Sequence, residues 1–336
     1  MENAQRKQGS QAINPGTTLL ALVGPTVTGK TAVALRIAPE LPAEIVSADS
    51  MQVYRGMDIG TSKPWPDQLC GITMHLLDVV DAREEFSVAQ FKEMADSAIS
   101  DIISRDRLPM LVGGSGLYYR AVVDNLDFSH SVGDKAHRKK IEESIVGMSS
   151  IQLHDLLREA DPEAAAKIPA SNRRRVLRAL EVARSGDRLM SERQQSWKEY
   201  RSPYNLIVAG LEMDRPLLYR MIDDRVDRMM SGGLEEEVRT LKENGLAPGT
   251  TAGEALGYRQ LLDMIDGKIT TQDAVKEIKK RTRNYAKRQL TWFRKDPRVR
   301  WFRVEGGASG PLEAVGEALE DTARLVLEYM RDKLQN

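Results

Sequence analysis

The sequence predicts an α/β fold, a parallel sheet flanked by helices, interrupted by an all-helical insertion. Three observations predict it. A short apolar run at 18–23 stops at Gly24 and, after a glycine loop, gives way to helical spacing at 30–41, with Val33, Ile37 and Leu41 on one face. Further short apolar runs at 44–47, 75–80 and 109–112 follow, with a helical pattern over 88–104 between the last two. Such alternation implies a parallel sheet covered on both faces. Between 127 and 202 the period changes: Ile141, Ile145, Leu153, Leu156, Leu157, Val176, Leu177, Leu180 and Val182 fall at helical spacing, broken by Pro162 and Pro169.

The elements then follow in order. The run 206–211 reads as a strand returning to the sheet, and 215–244, 253–265, 271–295 and 312–332 read as helices separated by Gly and Pro. The expected organisation is a flexible leader at 1–18, a core domain of 19–126 with 203–336, and a helical insertion domain at 127–202.

With 336 residues, one large α/β domain or two domains can bury a core unaided. Charged residues are 29% and hydrophobic ones 41%, which argues against disorder. Lys plus Arg and Asp plus Glu are both 49, so any nucleic-acid surface must be a local patch. Cys70 is the single cysteine, which excludes structural disulfides and a Cys-rich zinc finger and fits a reducing cytosol. The apolar stretches are far shorter than the roughly 20 residues of a membrane span, and the polar leader has no signal-peptide centre. A cytoplasmic protein with no membrane partner, and a monomer, is expected.

Gly24-Pro25-Thr26-Val27-Thr28-Gly29-Lys30-Thr31 fits GxxxxGK[ST], in the strand-to-helix setting that a phosphate-binding P-loop requires, so the fold is expected to be P-loop NTPase-like. Gly24 and Gly29 let the backbone wrap an oxyanion. N–H groups and the helix N-terminus point at it, Lys30 supplies charge, and the Thr31 hydroxyl can hold Mg²⁺. A nucleotide-hydrolysing machine normally adds a strand ending in Asp. Here 108–112 runs instead into Gly113-Gly114-Ser115-Gly116. The acid comes from another strand, at Asp49, whose place at a carboxyl end puts it beside the phosphate loop as a general base, a water-mediated Mg²⁺ partner or merely a cap.

The segment 276–303 holds twelve Lys or Arg against Glu277 and Asp296. Lys276, Lys279, Lys280, Arg283 and Lys287 share a helix face, with Tyr285, Trp292 and Phe293 as stacking or packing surface. This suits a phosphate backbone, or is a solvated face over core aromatics. Arg173, Arg174, Arg175 and Arg178 form a second cluster: a solvated face, a kinase-like lid or an RNA clamp. The four histidines, His75, His130, His137 and His154, have no ligand spacing.

GPTVTGKT at 24–31, SADSMQVYRGMDIGTSKP at 47–64, LVGGSGLYYRA at 111–121, RRRVLRALEV at 173–182, GLEEEV at 233–238, GYRQ at 257–260 and KRQLTWFR at 287–294 resemble the bacterial tRNA dimethylallyltransferases over about 19–302. The stretch 49–64 and KRQLTWFR are the specific parts. The resemblance implies transfer of a dimethylallyl group from dimethylallyl diphosphate to N6 of the adenosine 3′ to the anticodon, position 37, with release of diphosphate. The phosphate loop then holds a leaving group. By resemblance, Asp49 takes the amine proton, Lys30 and Arg225 grip the diphosphate and Thr31 binds Mg²⁺. Asp49, Ser50, Met51, Gln52, Ser115, Arg138, Arg174, Arg175, Val176, Leu177, Arg178, Arg259, Lys287, Arg288, Gln289 and Arg294 match positions that touch or position the tRNA anticodon stem-loop.

The sequence departs from the family at Val27-Thr28, often Ala-Ser, at Met74-His75, commonly His-His, and at Gln90, commonly Asp. The change at 27–28 is tolerable because main-chain N–H groups do the binding, and neither of the other two falls among the chemical residues. Three other readings compete: a P-loop kinase of a nucleotide or small metabolite, an adenylate isopentenyltransferase using free AMP, and a non-catalytic RNA-binding ATPase. The first two leave the basic segment idle. The third lacks a strand-end acid.

Overall fold

A computed structural model describes residues 17–126, 128, 141, 144–184, 189–192, 199–305 and 313–336. The chain divides into two compact units, Met1–Val123 with Ser202–Asn336, and Asp124–Arg201.

In the first unit, β1 (Thr18–Val23), α1 (Lys30–Ile37), β2 (Ala43–Ser47), β3 (Met74–His75), α2 (Val88–Ser104), β4 (Leu108–Gly113) and α3 (Gly116–Val123) come in chain order. The second unit then contributes α4 (Ser150–Ala160), α5 (Pro162–Lys167) and α6 (Arg173–Arg184). The first unit resumes with β5 (Asn205–Glu212), α7 (Arg215–Ser231), α8 (Leu234–Glu243), α9 (Tyr258–Ile265), α10 (Thr271–Phe293), β6 (Val299–Arg303) and α11 (Glu313–Gln335).

All six strands pair in parallel in the order β3-β2-β4-β1-β5-β6. Side chains alternate across a strand, so Leu19, Ala21 and Val23 enter one core with Phe91, Tyr119 and Phe293, while Leu20 and Leu22 enter another with Ile37, Leu217 and Val326. Burial on both faces is why these strands read as continuous apolar runs. The second unit has its own small core of Leu153, Leu157, Val176, Ala179 and Leu180.

Several expected boundaries change for local reasons. β1 takes in Thr18, paired with Asn205, inside the stretch expected to be leader; 1–16 lie outside the described residues. The run 75–80 is a strand only to His75, because Leu76 and Asp78 take left-handed φ of 65° and 54°. The helix expected over 215–244 is two helices, parted at Gly232 and Gly233, the latter with φ of 98°. The helix expected from 253 starts at Tyr258. β6, inside the basic segment, was hidden by its charge: Arg300 and Arg303 interrupt the apolar Val299, Trp301 and Phe302. No described helix is long and apolar enough to cross a membrane.

Candidate active site

β1 ends at the phosphate loop, where geometry dictates the glycines. Gly24 has φ of 143°, and a Cβ there would lie 2.4 Å from the Leu211 carbonyl oxygen of β5. Gly29 is left-handed and opens α1, and a Cβ would strike Leu319 of α11. The loop is therefore wedged between β5 and the C-terminal helix. Thr28 is fully buried, its hydroxyl donating to the Pro25 carbonyl at 2.9 Å. Lys30 Nζ donates to the same carbonyl at 2.6 Å.

Two further helices reach the loop at Thr26. From α7, Arg225 Nη1 donates to Thr26 Oγ1 at 3.0 Å. From α10, Gln289 Oε1 accepts the Thr26 N–H at 2.9 Å. Burial pushes the Lys30 ammonium down to about 8 and the Arg225 guanidinium down to about 10, against an opposing pull from the Asp49 charge on both. Arg225 also depresses Lys30. The structure thus brings Lys30, Asp49 and Arg225 into one electrostatic neighbourhood around the loop, two cations costly to keep charged without an anion.

Asp49 lies just beyond β2 and is half-buried, its Oδ1 accepting the Met51 N–H at 2.9 Å. The cap expected of a bare Asp-Ser pair and the site placement therefore coexist, since the other carboxylate oxygen remains. Beyond β4, the Ser115 hydroxyl accepts the Ser50 N–H at 3.1 Å and donates to Ser50 Oγ at 3.2 Å. Gly113 permits this joint, because a Cβ there would lie 2.3 Å from the Ala48 carbonyl oxygen. Tyr285 of α10 lies within reach of the Asp49 charge; burial first, then that charge, push its phenol up to about 12.

The loop after Asp49 is held at its far end. Glu237 of α8 accepts the N–H groups of Asp58, Ile59 and Gly60 at 3.0, 2.7 and 3.3 Å and the Tyr258 hydroxyl at 2.6 Å. Gly60 lies against the Tyr258 ring, where a Cβ would have no room. This explains GLEEEV and GYRQ: they brace the segment that carries Asp49. Gln52 is buried and bonded to Ser47 Oγ and to the Thr61 carbonyl.

The KRQLTWFR segment has two faces. Gln289 and Phe293 are buried, and Trp292 packs on Gly116, whereas Lys287, Arg288 and Arg294 are exposed. Arg294 pairs with Glu212 at 2.9 Å, and Arg259 with Glu254 and Asp263. Higher in α10, Lys279 and Arg283 pair with Asp227 and Asp223 of α7. Part of the expected basic stripe is therefore a strap between helices, whose acids lie too far away in sequence to be counted with it. In the second unit, Arg174 and Arg175 are exposed, Leu177 is partly buried, Arg178 pairs with Glu181, and Val176 belongs to the core, so its side chain has no face for a partner. Arg138 lies outside the described residues.

For Mg²⁺, the described residues contain no group of three His, Cys, Asp or Glu that would form a cage. Mg²⁺ usually needs only one or two protein oxygens besides substrate phosphates. The half-buried Thr31 hydroxyl, directly after Lys30 on the first turn of α1, fits that role.

Comparison with known proteins agrees with this architecture. Residues 52–296 match the family described as IPP transferase. The tRNA dimethylallyltransferase of Moorella thermoacetica is 44% identical over 310 residues, 90% of this chain and 94% of that protein, and that of Carboxydothermus hydrogenoformans is 43% identical over 284 residues, 84% and 91%. The crystal structure of a tRNA isopentenylpyrophosphate transferase from Bacillus halodurans superposes with a TM-score of 0.67 at 38% identity, covering 95% of this chain and 98% of that one. A eukaryotic dimethylallyltransferase acting on tRNA gives 0.72 at 25% identity, covering 86% and 74%. Over that length and at that identity, this chain belongs to the IPP transferase family.

Proposed function

We propose that the chain transfers a dimethylallyl group from dimethylallyl diphosphate to N6 of the adenosine at position 37 of tRNA, 3′ to the anticodon, releasing diphosphate. The observation that carries this reading is a phosphate loop after β1 together with a carboxylate, Asp49, at the end of β2 two strands away, while β4 between them runs into Gly113-Gly114-Ser115-Gly116 with no acid. That favours a loop gripping a leaving group over one serving nucleotide hydrolysis. The family's relatives supply the acceptor, and the exposed Lys287 and Arg288 suit an RNA backbone.

In the reaction the N6 lone pair forms a bond to C1 of the allyl group as the C1–O bond to diphosphate breaks. An exocyclic adenine amine is a weak nucleophile, so Asp49 orients it and takes its proton. The loop N–H groups and Lys30 bind the departing diphosphate, and Arg225, held at Thr26 Oγ1, adds its charge. Thr31 would hold Mg²⁺, which when bound neutralises charge on the diphosphate. The target base must leave its stack, which calls for protein contacts on both flanks of an RNA loop; Arg174 and Arg175 are the second unit's candidates. Such a substrate would make the cytoplasm the site of action.

The test incubates the protein with dimethylallyl diphosphate, Mg²⁺ and either tRNA or AMP. Addition of one dimethylallyl group to a tRNA adenosine is expected. Modification of AMP alone, or ATP turnover with a small-molecule acceptor, would replace this reading with one of its competitors.

A further inference from the structure

Gln289 lies within the segment that resembles an RNA-contacting stretch, yet both ends of its amide are spent inside the protein. Its Oε1 accepts the Thr26 N–H at 2.9 Å and its Nε2 donates to the Gly114 carbonyl at 2.9 Å, with the side chain buried. These partners sit on different elements: Thr26 in the loop after β1, Gly114 just beyond β4. Gly114 has no room for a side chain, because a Cβ would lie 2.3 Å from Gln289 Nε2. Thr26 is also where Arg225 donates, so one residue of the phosphate loop is fixed by its N–H from α10 and by its hydroxyl from α7. An amide accepts at one end and donates at the other without carrying charge.

We infer that Gln289 is a positioning residue for the diphosphate site: an amide clasp that joins the phosphate loop to the Gly113–Gly116 turn and sets the loop in its anion-binding shape. A buried clasp is costly to leave half-made, because the Thr26 N–H or the Gly114 carbonyl is then unpaired. The proposal rests on the loop being the donor's diphosphate site.

The test uses Gln289→Met, which keeps the volume and removes both bonds, Gln289→Glu, which keeps the acceptor for Thr26 and loses the donor to Gly114, and Gly114→Ala, which reaches the same contact from the other side. Each is measured by calorimetric binding of inorganic diphosphate with Mg²⁺, by filter binding of tRNA, and by single-turnover transfer. Gln289→Met and Gly114→Ala should weaken diphosphate binding roughly tenfold, with a larger loss for Gln289→Glu, which sets a buried negative charge against the Gly114 carbonyl and beside the anion. The donor KM should rise while the rate at saturating donor and the tRNA affinity stay within about twofold, a split that loosened folding alone would not produce. If a variant fails to fold, the remaining two decide. Variants that lose tRNA affinity but keep diphosphate binding would make Gln289 an RNA contact. Unchanged binding of both would remove the clasp. Failure of the wild-type protein to bind diphosphate would overturn the reading of the loop itself, and the clasp with it.

Discussion

Nη1 of Arg283 lies 2.5 and 2.7 Å from the two carboxylate oxygens of Asp223, tying α10 to α7 across sixty positions of sequence. Lys279 repeats the contact with Asp227 at 2.6 Å one turn earlier. The cations of α10 therefore divide by task. Reversing Lys279 and Arg283 should lower stability by about 0.5–1 kcal/mol per pair, since such half-exposed pairs are modest, measured by urea unfolding. Swapping the charges of Arg283 and Asp223 together should restore part of it. Reversing Lys287 and Arg288 should leave stability nearly unchanged and weaken tRNA binding, flattening the plot of log affinity against log salt by about 0.7–0.9 for each phosphate contact removed.

Lys30 gives a pH signature. Its ammonium is pushed down to about 8 by burial, so between pH 8 and 9 much of it is neutral in the free protein. A bound diphosphate favours the charged form and raises the value, so binding should take up protons in that window, to at most about one per site. Affinity should fall as pH rises through 8, and below about pH 7 the uptake should vanish because the lysine is already charged. Calorimetry in buffers of different ionisation enthalpy checks this, and Lys30→Met should abolish it.

Thr31→Ala and Arg225→Ala should act on the donor side. With one charge or metal ligand removed, a loss of roughly tenfold to a hundredfold in donor use is expected. Filter binding should find tRNA affinity within a few fold of wild type. A variant that chiefly loses tRNA affinity would contradict the assignment.

What was legible in the sequence follows from locality. The phosphate loop is eight consecutive residues with a fixed geometric job, and the sheet is a series of short apolar runs, so both could be read directly. Asp49 could be placed because a strand end determines where the next residues go. The partners of the basic segment could not, because Asp223 and Asp227 meet it only through helix packing. The contacts of Gln289 were hidden for the same reason: periodicity puts it on a helix but does not say that its face meets Thr26 and Gly114. The glycines of 113–116 carried a signal for this. Three of them in four residues mark close backbone approach, here to Ala48, Gln289 and Trp292.

Glu237 makes the bracing of the 49–64 segment testable. Replacing it with Ala leaves three backbone N–H groups and the Tyr258 hydroxyl without their acceptor, which should cost about 2–4 kcal/mol. Urea unfolding measures the loss. Transfer should slow as well, since the 49–64 segment loses its far anchor.

Single-turnover transfer by Asp49→Ala, with tRNA binding measured alongside, decides whether Asp49 is the base. Removing the proton acceptor should slow transfer by about 10² to 10⁴ while tRNA affinity stays within a few fold. A variant that transfers the group at the wild-type rate would contradict the assignment of Asp49 as the base.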